Sequence, residues 1–97
     1  MSLVYEQSVK FINMQSEGSA YVLASLSDCP GLLQANDIDI RGIIDKPTNT
    51  HLLYSIFVAF DEDDLYPFRD SMELLLVNDS INVKIKDAVR IRLNKMK

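Results

Sequence analysis

Apolar residues recur at alternate positions along two neighbouring stretches near the middle of the chain. In residues 37–45 every second position carries isoleucine or glycine, at Ile38, Ile40, Gly42 and Ile44. In residues 52–60, after a short polar break, Tyr54, Ile56, Val58 and Phe60 form one row of alternate positions. Alternation with a period of two is typical of a strand that is buried on one face, and a glycine within it indicates a bend. The pattern therefore predicts two consecutive strands, the first of them curved.

Turn-forming residues separate the short apolar stretches along the rest of the chain. Two more strands are predicted, at 71–77 and 83–93, because apolar and polar positions alternate there as well. No stretch has the sustained 3.6-residue period that would indicate a long helix. The predicted fold class is mainly β, either a small barrel or a curled antiparallel sheet with short helical turns.

The N-terminal stretch 3–14 fits two patterns. Val9 and Phe11 alternate as in a strand, whereas Val4, Phe11 and Ile12 would line one face of a helix. Because Val, Tyr, Phe and Ile dominate the stretch, its composition favours the strand.

Composition and charge limit the classes of protein that fit. The chain has 97 residues, enough for one domain, and its net charge is −4. No apolar run approaches the roughly 20 residues that span a bilayer, and no signal peptide is recognisable, so we expect a soluble intracellular protein without a membrane partner. The single Cys29 and single His51 exclude an internal disulfide and the usual Cys/His zinc site. Acidic residues concentrate in 61–73 and basic ones in 78–97, and a locally basic end is compatible with nucleic-acid binding.

Four pieces of the sequence, taken in order, resemble a known family. They are YVLASLSDCPGLLQAN, IDIRGIIDK, YSIFVAFDED and INVKIKDAVRIRLNKMK. They are similar to the oligonucleotide/oligosaccharide-binding (OB) domains of telomere end-binding proteins of the protection-of-telomeres family. The resemblance implies a single domain, 1–97, with an OB-like β-barrel core in 21–97 and an added strand within 1–20. It also implies a nuclear protein that binds single-stranded DNA.

The chain departs from the family pattern at several places. Lys86 stands before Asp87 where the family has glycine, and the sequence ends at Lys97 without a stretch for the fifth strand of an OB barrel. Three explanations stay open: the sequence is a fragment, the segment 3–14 closes the barrel, or the fold is a different one.

Binding of single-stranded nucleic acid requires aromatic rings for base stacking and cations for phosphates. On the predicted barrel Phe57 lies on the outer face of the second strand. Arginines of the first and fourth strands also point outward. The loop between the first two strands adds polar groups. The candidate binding residues are Arg41, Lys46, Asn49, His51, Phe57, Arg90 and Arg92. In the competing interpretation Phe57 is buried and the arginines are ordinary edge charges.

The second hypothesis is a small OB-type subunit that scaffolds a protein partner without binding nucleic acid. This hypothesis is favoured by the net negative charge and by the four methionines. It is also favoured by two apolar residues that are expected to be exposed, Ile43 and Leu53. No catalytic spacing is recognisable, so we expect neither an enzyme nor catalytic residues, and no metal or cofactor. Cys29 is expected to be a buried thiol, and residues 61–64 a solvated connector.

Overall fold

The computed structural model describes residues 3–29 and 31–96, and all of the regular structure in them is helical. Seven α-helices follow one another in these residues: α1 (Leu3–Asn13), α2 (Ser19–Ser27), α3 (Ile40–Asp45), α4 (Thr50–Ala59), α5 (Glu62–Leu65), α6 (Arg69–Leu76) and α7 (Val83–Lys95). Two 3₁₀ turns are formed by Ala35–Asp37 and Tyr66–Phe68. Of the helices described, none combines the length and the apolar character needed to cross a membrane.

Asparagine or aspartate begins four of these helices. In each case a side-chain oxygen accepts a hydrogen bond from the backbone N–H three residues later. The pairs are Asp39 with Gly42 (3.1 Å), Asn49 with Leu52 (3.1 Å), Asp61 with Asp64 (3.0 Å) and Asn82 with Ile85 (3.0 Å). Each cap satisfies a donor that the helix leaves free and typically contributes about 1 kcal/mol. The caps therefore fix where α3, α4, α5 and α7 begin.

Helix α4 is the centre of the core. Leu52, Leu53, Ile56 and Phe57 are all buried, and their spacing of i, i+1, i+4 and i+5 lines one broad face of a helix. Both α2 and α7 pack against α4, while α1 packs on α2 and α6 packs on α7. Helix α3 contacts α4 and α6. The helices thus follow the order α1, α2, α4, α7, α6 across the molecule, which measures 38 × 27 × 18 Å.

The predicted β fold and the resemblance to OB domains are wrong. The stretches predicted as strands lie in α3, α4, α6 and α7, and the N-terminal segment expected to add a strand forms α1 and the start of α2. The part of the chain that the structure describes contains no strand, so it forms no barrel. An all-helical fold contradicts single-stranded nucleic-acid binding by an OB-type domain, and the OB-type scaffolding subunit gains no support either.

The physical reason is visible in α3. Ile40, Ile43 and Ile44 are buried at i, i+3 and i+4, a helical spacing that the strand interpretation overlooked. Gly42 does not bend a strand: its N–H donates to the Asp39 carboxylate, and a Cβ at this position would overlap that carboxylate. The glycine therefore leaves room for the helix cap.

The two apolar side chains expected on the surface are also placed differently. Ile43 and Leu53 are both buried in the core. The apolar surface that the structure does expose lies on other residues.

Candidate functional site

Three of the candidate binding residues, Lys46, Asn49 and His51, come together where α3 connects to α4. Gln15, which has a left-handed backbone (φ 54°), holds this connection in place. Its Nε2 donates to the carbonyl oxygen of Lys46 at 2.9 Å. Its Oε1 accepts from the backbone N–H groups of Thr48 at 2.8 Å and Asn49 at 3.3 Å. Sequence reasoning missed Gln15, because no local pattern indicates a contact across more than thirty positions.

The Asn49 side chain joins the start of α4 to the start of α2. Its Oδ1 caps α4, while its Nδ2 donates to the carbonyl oxygen of Ser16 at 3.0 Å and to the hydroxyl of Ser19 at 3.3 Å. Ser19 is itself buried. Since both ends of the amide are bonded within the protein, Asn49 stabilises the fold.

His51 is exposed in the first turn of α4 and lines two adjoining depressions. One, of about 630 Å³, lies beside the start of α2, and the other, of about 320 Å³, extends to the start of α7. Ala20 and Thr50 line both. In the second depression the Lys84 ammonium lies 4.9 Å from the centre of the Tyr54 ring, within the range of a cation–π contact. The two depressions beside His51 therefore contain groups of both charges, the Glu17 carboxylate in the first and the Lys84 ammonium in the second.

Arg41 connects α3 to the segment that precedes and begins α6. Its guanidinium donates to the hydroxyl of Ser71 at 3.3 Å and to the carbonyl oxygen of Pro67 at 3.2 Å. It also lies 5.3 Å from the centre of the Phe68 ring. These three contacts hold α3 against the beginning of α6, so Arg41 stabilises the fold.

Phe57, Arg90 and Arg92 do not form a stacking site with flanking cations. Phe57 is 2% exposed, so its expected position on an outer face is wrong. Arg92 donates to the carbonyl oxygen of Phe57 at 2.7 Å and to the Glu62 carboxylate at 2.6 Å. Arg90 forms an exposed ion pair with Asp87 at 3.0 Å. Both arginines therefore have partners within the protein.

A more apolar depression lies elsewhere, between α1 and α2. This α1–α2 groove has a volume of about 540 Å³ and is lined by Leu3, Val4, Gln7, Ser8, Phe11 and Val22. Leu3 is 69% exposed, Val4 75% and Phe11 38%. Part of this groove could be expected from the sequence, because Val4 and Phe11 fit one helical face of the N-terminal stretch. That face points to solvent, whereas Ile12 on the same helix is buried.

No three His, Cys, Asp or Glu side chains within 3–29 and 31–96 come together in a way that would hold a metal ion. The Cys29 thiol is exposed, contrary to the expected burial, and lies 3.8 Å from the carbonyl oxygen of Ser25. The acidic run at 61–64 is a helix start, with Asp61 as the cap of α5.

Comparison with known proteins adds no assignment: no family model, no curated protein and no solved structure matches the chain.

Proposed function

We propose that the protein is a helical interaction module that binds an α-helix of a partner protein in the α1–α2 groove. The observation that carries the proposal is the second apolar face of α1. Tyr5 and Ile12 are buried on one side of this helix, while Leu3, Val4 and Phe11 line the groove on another. A surface helix normally has a single apolar stripe and is polar elsewhere. Contiguous exposed apolar surface on a soluble domain typically marks an interaction site.

The chemistry of the lining supports a protein ligand. None of the six lining residues is charged, although 25% of the residues in the chain are. Gln7 and Ser8 supply neutral hydrogen-bonding groups among the apolar walls. Depletion of charge in an apolar centre is the composition that distinguishes the core of a protein interface from the remaining surface.

The length of the groove fits a helix. Along α1 the lining runs from Leu3 to Phe11, which at 1.5 Å per residue is about 12 Å, or somewhat more than two helical turns. A bound helix presents side chains at i, i+3, i+4 and i+7 over the same length. The occupant is therefore expected to insert an apolar stripe of about two turns.

Titration with designed peptides tests the proposal. Three short helical peptides share leucines at i, i+3, i+4 and i+7 and differ only in their flanking residues, which are lysine, glutamine or glutamate. Each is added to ¹⁵N-labelled protein, and the backbone amide signals are followed. At least one peptide is expected to shift the signals of α1 and Val22. A result in which none of the three shifts these signals overturns the proposal.

A matched pair of variants locates the binding surface. Replacing Leu3 and Val4 together by glutamine removes apolar contacts without adding charge, and should weaken binding on the order of tenfold. The control replaces Leu74 and Val77 of the α6 region by glutamine, since these residues are 67% and 76% exposed and belong to a different surface. Equal weakening by both pairs would place the binding site outside the groove.

A further inference from the structure

We propose that the partner helix in the α1–α2 groove is helix α1 of a second copy of the chain, lying antiparallel about a two-fold axis at Gln7. The inference rests on the proposed function and names the partner. Three features carry it: the spacing of the exposed side chains on α1, the polar centre of the groove, and the uncharged lining.

The exposed side of α1 has the spacing of a helix-pairing stripe. Val4, Gln7, Phe11 and Met14 are exposed and succeed one another at intervals of three, four and three residues. Met14 lies one residue past the end of α1, but its N–H donates to the carbonyl oxygen of Lys10 at 3.0 Å and so continues the helical turn. Alternating intervals of three and four produce a narrow stripe that packs against another helix, as in a coiled coil. Helix α1 therefore presents the kind of stripe that the groove is expected to receive.

Gln7 lies at the middle of the part of α1 that lines the groove. Leu3 and Phe11 are each four residues from it, about 6 Å along the helix axis in either direction. A second α1 that runs antiparallel about a two-fold axis at Gln7 places its Phe11 opposite Leu3 and its Leu3 opposite Phe11. Apolar ends therefore meet apolar ends, and both copies use the same surface, as a two-fold contact requires.

The amide of Gln7 favours this occupant over a purely apolar helix. An amide has both donors and an acceptor, so two Gln7 side chains that meet on the axis can bond to each other. An apolar stripe from another protein would cover the amide without giving it a partner, which weakens binding. A single polar residue within an otherwise apolar stripe is a known means of fixing the register and number of paired helices.

The absence of charge in the lining also suits a second copy. Residues near a two-fold axis meet the same residues of the other copy, so any charge there would oppose a like charge. None of the six lining residues is charged. Two copies can therefore form this contact without bringing like charges into it, although each chain has a net charge of −4.

Sedimentation equilibrium tests the pairing. Six residues line the groove, against roughly 20–30 on each side of a standard interface, so we expect a weak and reversible dimer. The wild-type protein is therefore studied from about 10 µM to about 1 mM, at about 0.05 M and about 0.5 M NaCl. A monomer–dimer equilibrium is expected. It should tighten at high salt, because screening reduces the repulsion between two chains of net charge −4.

The matched glutamine variants locate the contact. Replacing Leu3 and Val4 together by glutamine should raise the dissociation constant of the dimer on the order of tenfold. The control replacement of Leu74 and Val77 should leave it unchanged, because these residues belong to a different surface. A leucine peptide that shifts the signals of α1 and Val22 should also dissociate the dimer, since both occupy the groove.

Opposite charges at Gln7 test the two-fold axis. Gln7→Glu or Gln7→Lys places two like charges against each other, so each variant alone should be monomeric over the same concentrations. An equimolar mixture of the two places a carboxylate against an ammonium and should restore the dimer, now weaker at high salt. Because Gln7 is exposed on α1, both variants should remain folded. The same two substitutions at Val77, which is 76% exposed, are the control, and each should dimerise as the wild type does.

Each contrary result overturns the inference. A chain that stays monomeric at every concentration excludes the second copy, and the peptide titration then decides separately whether the groove binds a helix of another protein. A dimer that weakens with salt, or that the Leu3/Val4 and Gln7 variants leave intact, is formed by another surface. A mixture of the two Gln7 variants that stays monomeric excludes the two-fold contact at Gln7. If the peptides also leave the signals of α1 and Val22 unchanged, the proposed function fails as well.

Discussion

Arg92 binds the carboxylate of Glu62 at 2.6 Å and thereby fastens the last helix, α7, to the short helix α5. The Arg92 Nε also donates to the carbonyl oxygen of Phe57 at 2.7 Å. The two charged side chains are only 19% and 26% exposed, so loss of Arg92 leaves the largely desolvated Glu62 carboxylate with only the longer contact to the Lys95 ammonium, at 3.9 Å, among its ion pairs in the described residues. We expect Arg92→Met to lower the free energy of unfolding by roughly 2–4 kcal/mol, measured by urea denaturation.

Arg90 provides the matched control for this ion pair. It lies on the same helix and contacts Asp87 at 3.0 Å, but the two side chains are 53% and 61% exposed. An exposed pair of this kind contributes about 0–1 kcal/mol. Arg90→Met should therefore change the stability little, and equal effects of the two arginine substitutions would contradict a structural role that is specific to Arg92.

Replacement of Phe57 tests the position of this ring in the core. Phe57→Ala should lower the free energy of unfolding by roughly 3–5 kcal/mol, because it leaves a cavity at the centre of α4. Its neighbour Val58 is exposed, and Val58→Ala is expected to change the stability by no more than about 0.5 kcal/mol. Urea denaturation of both variants is the measurement. A Phe57→Ala protein as stable as the wild type would exclude a core position for the ring.

The error in fold class arose where apolar residues fill a stretch almost completely. In residues 52–60 the row of alternate positions Tyr54, Ile56, Val58 and Phe60 fits a strand. The set Leu52, Leu53, Ile56 and Phe57 fits a helix equally well. A nearly continuous apolar run has no decisive period, and β-branched and aromatic residues shift the preference towards a strand although tertiary packing determines the outcome. The burial of α4 between α2 and α7 depends on helices that are distant along the chain, so residues 52–60 alone do not reveal it.

The positions at which helices begin are easier to predict from the sequence than the hydrophobic period of each stretch. Asp39 and Asn82 each stand immediately before an apolar residue, while Asn49 and Asp61 precede the next apolar residue by three and four positions; aspartate or asparagine just before an apolar stretch is the signature of a helix N-cap. Around Gly18 a turn separates α1 from α2, as the turn-forming composition of Ser16, Glu17, Gly18 and Ser19 indicates. Of the candidate site, only the neighbouring Lys46, Asn49 and His51 could be grouped in advance, because Gln15 reaches them through tertiary structure.

The hydrogen bonds of Gln15 lead to a local prediction. Its Oε1 accepts from the Thr48 N–H at 2.8 Å, a bond that no backbone group replaces when the side chain is removed. In a Gln15→Ala variant the Thr48 amide should therefore exchange its hydrogen faster with solvent, which can be followed by NMR hydrogen exchange. Gln7→Ala, which truncates an exposed glutamine on α1, is the control and should leave the exchange at Thr48 unchanged.

The Tyr5 hydroxyl makes the stability dependent on pH in the alkaline range. It donates to the Asp37 carboxylate at 2.8 Å and accepts from the backbone N–H of Gln34 at 3.2 Å. Burial of the ring raises the pKa of Tyr5 above its ordinary value of 10.0, and the Asp37 carboxylate raises it further. The folded protein thus holds the phenolic proton more strongly than the unfolded chain does.

The sign of the pH effect follows from this difference. The stabilisation is fully present below the pKa of the unfolded chain and is lost as the pH rises through the higher pKa of the folded state. The free energy of unfolding should therefore fall as the pH rises above the ordinary tyrosine pKa of 10.0, and Tyr5→Phe should reduce this fall because phenylalanine does not titrate. Tyr21→Phe, at an exposed position, is the control and should retain it. An undiminished fall in the Tyr5→Phe variant, measured by urea denaturation across this range, would show that another group causes it.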